Sequence, residues 1–170
     1  MTLLTTKRLH LRLLSVQDAP FILDLLNTPA WLTYIGDRGV RTLDDARQYL
    51  LRGPLASYER WGFGLYLVTR RPTDTPIGLC GLLQRETLDK PDIGFAFLPD
   101  YVGHGYGFEA ASAVLAYAHT TLGIDTVAAI VTPENQPSIK LLEKLGLQFR
   151  KRVTLTTDSE ELLLFESTAP

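Results

Sequence analysis

The 170-residue chain has little of several things that would otherwise direct its reading. It has one cysteine, Cys80, so it can close no disulfide within itself and build no cysteine-rich metal site. Cys80 is read as a buried strand residue with no nucleophilic role. Its three histidines, His10, His104 and His119, are scattered without ligand spacing, so no metal is expected. No apolar run reaches the roughly 18 residues that a membrane span needs. Formal net charge is −2, which supplies no general attraction to nucleic acid or to an anionic membrane, and neither is an expected partner. The opening MTLLTTKRLHLRLL sets its basic residues inside a strand-like segment, not ahead of a long apolar core. No signal peptide is therefore expected, and a cytoplasmic location is. The Gly-Lys-Ser/Thr triplet that closes a P-loop is also missing.

What is present suits a globular domain. The apolar fraction is 45%, and the length allows a sizeable core in one domain, residues 1–170. Leu9, Leu11 and Leu13 alternate with His10 and Arg12 as a first strand. Ser15 and Asp18 make a near capping box before a stripe of Phe21, Ile22, Leu25 and Leu26. Residues 27–39 read as a loop holding Trp31 and Tyr34. Thr42 caps a second helix, with Asp44 and Asp45 in its first turn, and Gly53-Pro54 should interrupt it. Strands are expected over 63–69 and 77–83, paired as a hairpin, and then over 92–98, 125–131, 147–153 and 162–165. Helices are expected after residue 107 and over 138–145, the latter stopped by Gly146. A meander feeding a βαβ unit implies an α/β (α+β) fold, a mixed sheet of about seven strands with helices on both faces. The 92–98 and 125–131 strands should be parallel, because a helix crosses between them.

The most informative stretch is DIGFAFLPDYVGHGYGFEAASAVLAYA, residues 92–118. Ile93, Phe95 and Phe97 have strand period, and Pro99 ends the pairing. Gly103, Gly105 and Gly107 follow, and Ala111, Val114, Leu115 and Ala118 then recur at helical spacing. The glycines thus sit where a strand enters a helix N-terminus, a place that presents free N–H groups to phosphate. A dinucleotide fingerprint would want a small residue where Phe108 stands. The second stretch is NQPSIKLLEKLGL, in which Asn135, Ser138 and Leu142 share one helical face. Alone it reads as an Asn–Ser helix cap.

Together, KRLHLRLLSVQDA, IGFAFLPDYVGHGYGFEA and NQPSIKLLEKLGL resemble the GNAT superfamily of N-acetyltransferases, in its ribosomal-protein-acetylating (RimJ/RimL-like) branch. The resemblance covers nearly the whole chain. It implies a sheet splayed at its centre, with acetyl-CoA in a V-shaped gap between the two parallel strands. The pantetheine arm would pair along Phe95, Phe97 and Leu98. The pyrophosphate would rest on amides of the loop Val102, Gly103, His104, Gly105, Tyr106 and Gly107, and Asn135 would touch the arm. Val102 stands where the family loop usually begins with Arg or Gln. His104 is a solvated loop residue that as a cation would favour phosphates.

The implied reaction is attack of a neutral amine on a thioester. It needs a proton acceptor, donors for the oxyanion and a proton or hydrogen bond for the thiolate. Backbone N–H groups near Phe97 or Leu98 are candidates for the oxyanion. Many relatives place a Tyr near the sulfur, where this chain has Leu142, so Ser138 becomes the candidate, either as donor or as helix cap. Asp92 and Glu86 are candidate bases, each also readable as a solvated carboxylate. Trp31, Tyr34, Trp61 and Tyr66 line an acceptor groove or pack in the core. The acceptor is a protein N-terminus, a lysine or a small amine, including an antibiotic or polyamine. A catalytically silent CoA-binding sensor is the alternative. A monomer or a homodimer is compatible with these readings.

Overall fold

The computed structural model describes residues 2–167. Among them, eight strands form one sheet: β1 (Thr2–Thr5), β2 (Leu9–Arg12), β3 (Leu65–Arg70), β4 (Thr75–Leu83), β5 (Asp92–Phe97), β6 (Ala128–Val131), β7 (Gln148–Val153) and β8 (Leu162–Glu166). Their order across the sheet is β1-β2-β3-β4-β5-β6-β8-β7. Every neighbouring pair is antiparallel except β5–β6. The sequence reading expected one strand fewer. β1 is four residues with no burial alternation, and it joins the sheet only by pairing with β2.

Period-two alternation sorts the sheet's side chains onto two faces. Leu65 and Leu67 of β3 face one core with α1 (Ala19–Leu26) and α2 (Leu43–Leu50). Tyr66 and Val68 face the other, with α4 (Tyr106–Thr120) and Leu142 of α5 (Gln136–Lys144). Both capping boxes are formed, Ser15 with Asp18 and Thr42 with Asp45. Asp18 is also held by Arg12, at 2.7 Å and 3.0 Å.

Two local expectations are corrected. The helix beginning at Leu43 is not interrupted at Gly53-Pro54. It passes through a widened turn, Leu51–Leu55, into α3 (Ala56–Trp61). Proline lacks an N–H, and a widened turn lets the helical path absorb that loss. The 27–39 loop likewise contains a widened turn, Trp31–Ile35, closed by Gly36 N–H on Trp31 O at 2.9 Å. No described helix is long and apolar enough to cross a membrane.

Backbone crowding is severe at Gly81, on β4 between β3 and β5. A Cβ there would lie 2.1 Å from Gly64 O and 2.8 Å from Leu65 Cα. Gly81→Ala should therefore lower stability by about 1–3 kcal/mol, as overpacking against main chain does. Gly53→Ala, with nothing within 4 Å of its Cβ, should raise stability by about 0.4–1 kcal/mol. Urea unfolding midpoints of the two variants should move in opposite directions.

Candidate functional site

The two parallel strands touch at one register position only, Asp92 opposite Ala128, with Ala128 N–H donating to Pro91 O at 2.8 Å. Beyond it they diverge. β5 stays paired to β4, where Leu98 N–H donates to Ile77 O at 2.9 Å. Hydrogen-bonded and outward residues alternate along an antiparallel ladder. The N–H and C=O groups of Phe95 and Phe97 therefore point into the gap. On β6, Ser167 N–H donates to Val127 O, and the same alternation turns Ile130 toward the gap. These edges are unpaired among the described residues, and an unpaired edge inside a sheet wants a partner. Leu98, expected to offer its N–H there, spends it on Ile77, and that expectation is corrected.

At the far end of β5 a short turn, Pro99–Tyr101, leads to exposed Val102, Gly103, His104 and Gly105. Gly103 and Gly105 both have φ of +84°, which alternates hand along the loop. Such alternation turns successive N–H groups to one side as an anion nest. Gly105 is the N-cap of α4, and Gly105 O accepts the first helical bond from Glu109 at 3.1 Å. Arg8, on the β1–β2 turn, braces this corner. Its Nη1 donates to His104 O at 3.0 Å and its Nε to Glu109 Oε1 at 2.7 Å, and its guanidinium lies 4.4 Å from the centre of the Tyr106 ring. Arg8 N–H and the Thr6 hydroxyl also donate to Glu109. These bonds outweigh desolvation and hold the Glu109 carboxyl below its ordinary range. An open depression of about 640 Å³ beside the loop is lined by Arg8, Gly105, Phe108, Ser112 and Lys144. Gly107 lies under α5, where a Cβ would meet Leu141 Cδ2 at 3.2 Å.

α5 starts four positions after Thr132. Asn135 is its N-cap, and Asn135 Oδ1 accepts from Ser138 N–H at 3.4 Å. The cap is thus the asparagine side chain. Ser138 Oγ has no hydrogen bond among the described residues and is free for another partner. Leu142, one turn on, is fully buried in the core beside α4, not displayed at the surface. Thr132 Oγ1, just past β6, is buried without a hydrogen-bond partner.

The Acetyltransferase (GNAT) domain family matches residues 8–148. The chain belongs to the GNAT acetyltransferase family. It is similar to the uncharacterized N-acetyltransferase p20 of Bacillus licheniformis, 29% identical with 87% of this chain and 83% of p20 covered. A solved acetyltransferase from Agrobacterium tumefaciens is 26% identical, with a TM-score of 0.80, covering 96% of this chain and 92% of that one. RimL, a ribosomal L7/L12 alpha-N-protein acetyltransferase solved in complex with coenzyme A, shares the fold. Its TM-score is 0.84 at 16% identity, covering 99% and 98% of the two chains.

In this acetyltransferase the opposite face of the gap differs from what the sequence suggested. Asp92 is not a solvated strand end. It is 1% exposed, and Arg85 Nε reaches both its oxygens, at 3.1 Å and 3.3 Å. Burial pushes its pKa up to about 6, with Arg85 offsetting only part of that. Trp31 is 5% exposed in the core with α1 and α2, its Nε1 unbonded, so it lines no groove. Tyr66 is buried too, stacked on Tyr58 in the other core, and its phenol is pushed up to about 12 by desolvation. Tyr34 and Glu86 are exposed, on the 31–35 turn and the β4–β5 connection. Trp61 is 42% exposed and does line a cavity, with Tyr49, Arg52, Arg60, Leu65 and Leu83. Cys80 is buried, and desolvation pushes its thiol up, away from thiolate chemistry. Sequence reasoning missed Arg8, Arg85 and Thr132. Arg8 meets Glu109 across 101 positions, and no local pattern announces such a contact.

Asp92 gives the site a pH signature. Its pKa rises from 3.8 to about 6 on folding. Between those values the unfolded chain has released the proton that the folded chain keeps, so stability falls as pH rises from about 4 to about 6. The full cost, roughly 3 kcal/mol by the size of the shift, stands above pH 6. Asp92→Asn removes it. The unfolding free energy of wild type minus that of Asp92→Asn should therefore increase as pH is lowered from 7 to 4. A flat difference would mean that folding leaves the Asp92 pKa where it is in the unfolded chain.

Proposed function

We propose that the chain transfers an acetyl group from acetyl-CoA directly to a primary amine, in the manner of the RimJ/RimL-like branch and in one acetyltransferase unit. The observation that carries this is the gap. Two parallel strands held by a single bridge leave the edges of Phe95, Phe97 and Ile130 unpaired. A glycine nest lies at one end of β5 and an orphaned hydroxyl, Thr132, lies past β6. An extended amide-bearing arm ending in phosphates has the groups that such a cleft lacks. RimL, whose fold is the same, was solved with coenzyme A. A single buried cysteine suits a cytoplasmic setting.

Acetyl-CoA would supply the acyl group as a thioester already activated toward amines. The loop amides of 103–107 would hold its pyrophosphate, with Arg8 and Lys144 supplying the positive charge that Val102 does not. Phe97 and Phe95 would pair with the arm, and Asn135 and Ser138 would flank it. A backbone N–H of this edge, from Phe95 or Phe97, would receive the oxyanion. In the balanced reaction the amine nitrogen bonds the acyl carbon and the carbon–sulfur bond breaks. The amine's proton leaves through water toward Asp92, and the thiolate is met by the Ser138 hydroxyl or a water it orients. Asp92 suits the first role because its raised pKa lies nearer neutrality than that of an exposed carboxylate. Glu86 is the exposed alternative. No step calls for a metal.

The test has two arms. Acetyl-CoA binding only the folded state should stabilise it by about 2.7 kcal/mol at a hundredfold excess over Kd, read as a rise in Tm. CoA thiol should appear when amines are added, and stay absent without them. A Tm rise with no thiol release from any amine would identify a silent CoA sensor instead.

Ser138 and Asn135 should separate chemistry from capping. Ser138→Ala should lower turnover about ten- to a thousandfold, the cost of losing one positioned donor, at unchanged Tm and acetyl-CoA Kd. Asn135→Ala should lose about 1 kcal/mol of stability as the cap is removed. Full turnover in Ser138→Ala would assign thiolate protonation to solvent.

A further inference from the structure

The cavity walled by α2, the 51–55 turn and α3 is about 270 Å³, room for one side chain or a small molecule, not for a folded partner. Leu65 and Leu83 line it together with Tyr49, Arg52, Arg60 and Trp61. Leu65 and Leu83 are also the atoms that a Cβ on Gly94 would meet, at 3.6 Å and 3.5 Å. Gly94 is two residues past the last β5–β6 pair. The cavity lining therefore runs up to the strand that borders the gap, on the face away from α4.

The cavity's charge is one-sided. Arg52 and Arg60 have no ion pair among the described residues, and Arg60 lies 4.7 Å over the Trp61 ring. No Asp or Glu lines the cavity. The Tyr49 phenol, raised by burial, is pulled back only by Arg38 and Arg85, with no acid acting on it. Of the neighbouring acids, Asp92 is spent on Arg85, while Glu59 and Glu86 are exposed and do not line the cavity.

We propose that this cavity selects acceptors carrying a carboxylate a few bonds from the reacting amine, with Arg52 and Arg60 as the residues that recognise it. The proposal rests on the acetyltransferase reading of the gap. A guanidinium fork matches a carboxylate in two parallel hydrogen bonds, which a neutral amide cannot return as strongly. The same positive charges disfavour the ammonium form of the acceptor, so they also promote the neutral amine that the reaction consumes. The carboxylate can come from an acidic residue next to a peptide N-terminus or from a free amino acid.

The experiment compares kcat/KM at saturating acetyl-CoA, read as CoA thiol release. One arm uses tetrapeptides with glutamate, glutamine or lysine in second place. The other uses free alanine and alaninamide. In at least one arm the carboxylate acceptor should lead its amide counterpart by about tenfold or more, mainly through KM. The arm that shows the lead names the source. In Arg52→Gln/Arg60→Gln that ratio should fall toward one, while Arg152→Gln, far from the cavity on β7, should keep it. Equal rates for acid and amide in both arms would overturn the proposal and leave the transferase reading standing. A lead that survives in the double variant would also overturn it, because the selection would then lie elsewhere. Silence from every acceptor while acetyl-CoA still raises Tm would remove the transferase reading, and this proposal with it.

Discussion

The structure depends on the single bridge between β5 and β6. Each strand is firmly held on its other side, β5 by the length of β4 and β6 by β8. Only Asp92 and Ala128 join them, so the sheet is continuous at that point and open beyond it. The opening leaves main-chain donors and acceptors at the centre of the molecule with no partner of their own. Unpaired polar groups in such a place cost free energy that a ligand edge can recover. The cleft is thus built into the hydrogen-bond ladder and does not depend on side-chain shape.

The loop end of the gap is fixed by a different device. A glycine loop with two left-handed residues has little intrinsic reason to hold one shape. Arg8 supplies that reason by tying His104 O, Glu109 and the Tyr106 ring to the β1–β2 turn. Val102, at the start of the loop, carries no charge. The nearest cations come from Arg8 and, across α4, from Lys144 over Phe108. The cations beside the loop thus belong to elements that pack against it.

How much of this was legible follows from how local each feature is. The glycine loop, the crossover helix and the Asn135 turn were readable, because each is a pattern within a few residues. The two capping boxes were readable for the same reason. Asp92 was misjudged because its burial depends on Arg85 and on the strand pivot, neither visible in DIGFAF. Trp31 and Tyr66 are aromatics whose burial is decided by packing, Trp31 against α1 and α2 and Tyr66 on the other side of β3. Leu98 lost its N–H to Ile77 through register, which sequence does not state. Pro54 was read as a break because proline costs a helix one bond, yet flanking residues that keep helical backbone carry the path past it.

Alternation along β5 then explains how one strand can serve two ligands. Ile93, Phe95 and Phe97 send side chains to the α4–α5 face, while Ala96 and Leu98 pack with α1 and α2 on the other. Asp92 and Gly94 fall on that second face by the same period. The backbone between them opens edgewise into the gap. A thioester held along that edge would be reached by an amine from the Asp92 and Gly94 side, without crossing the phosphate loop. On the proposed reading, cofactor grip and acceptor choice would fall on different sides of the same six residues. A Cβ at Gly94 would meet only Leu83 and Leu65, at 3.5 Å and 3.6 Å, and would leave the loop untouched. On the proposed reading, a large residue at that position would hinder the acceptor and spare the loop.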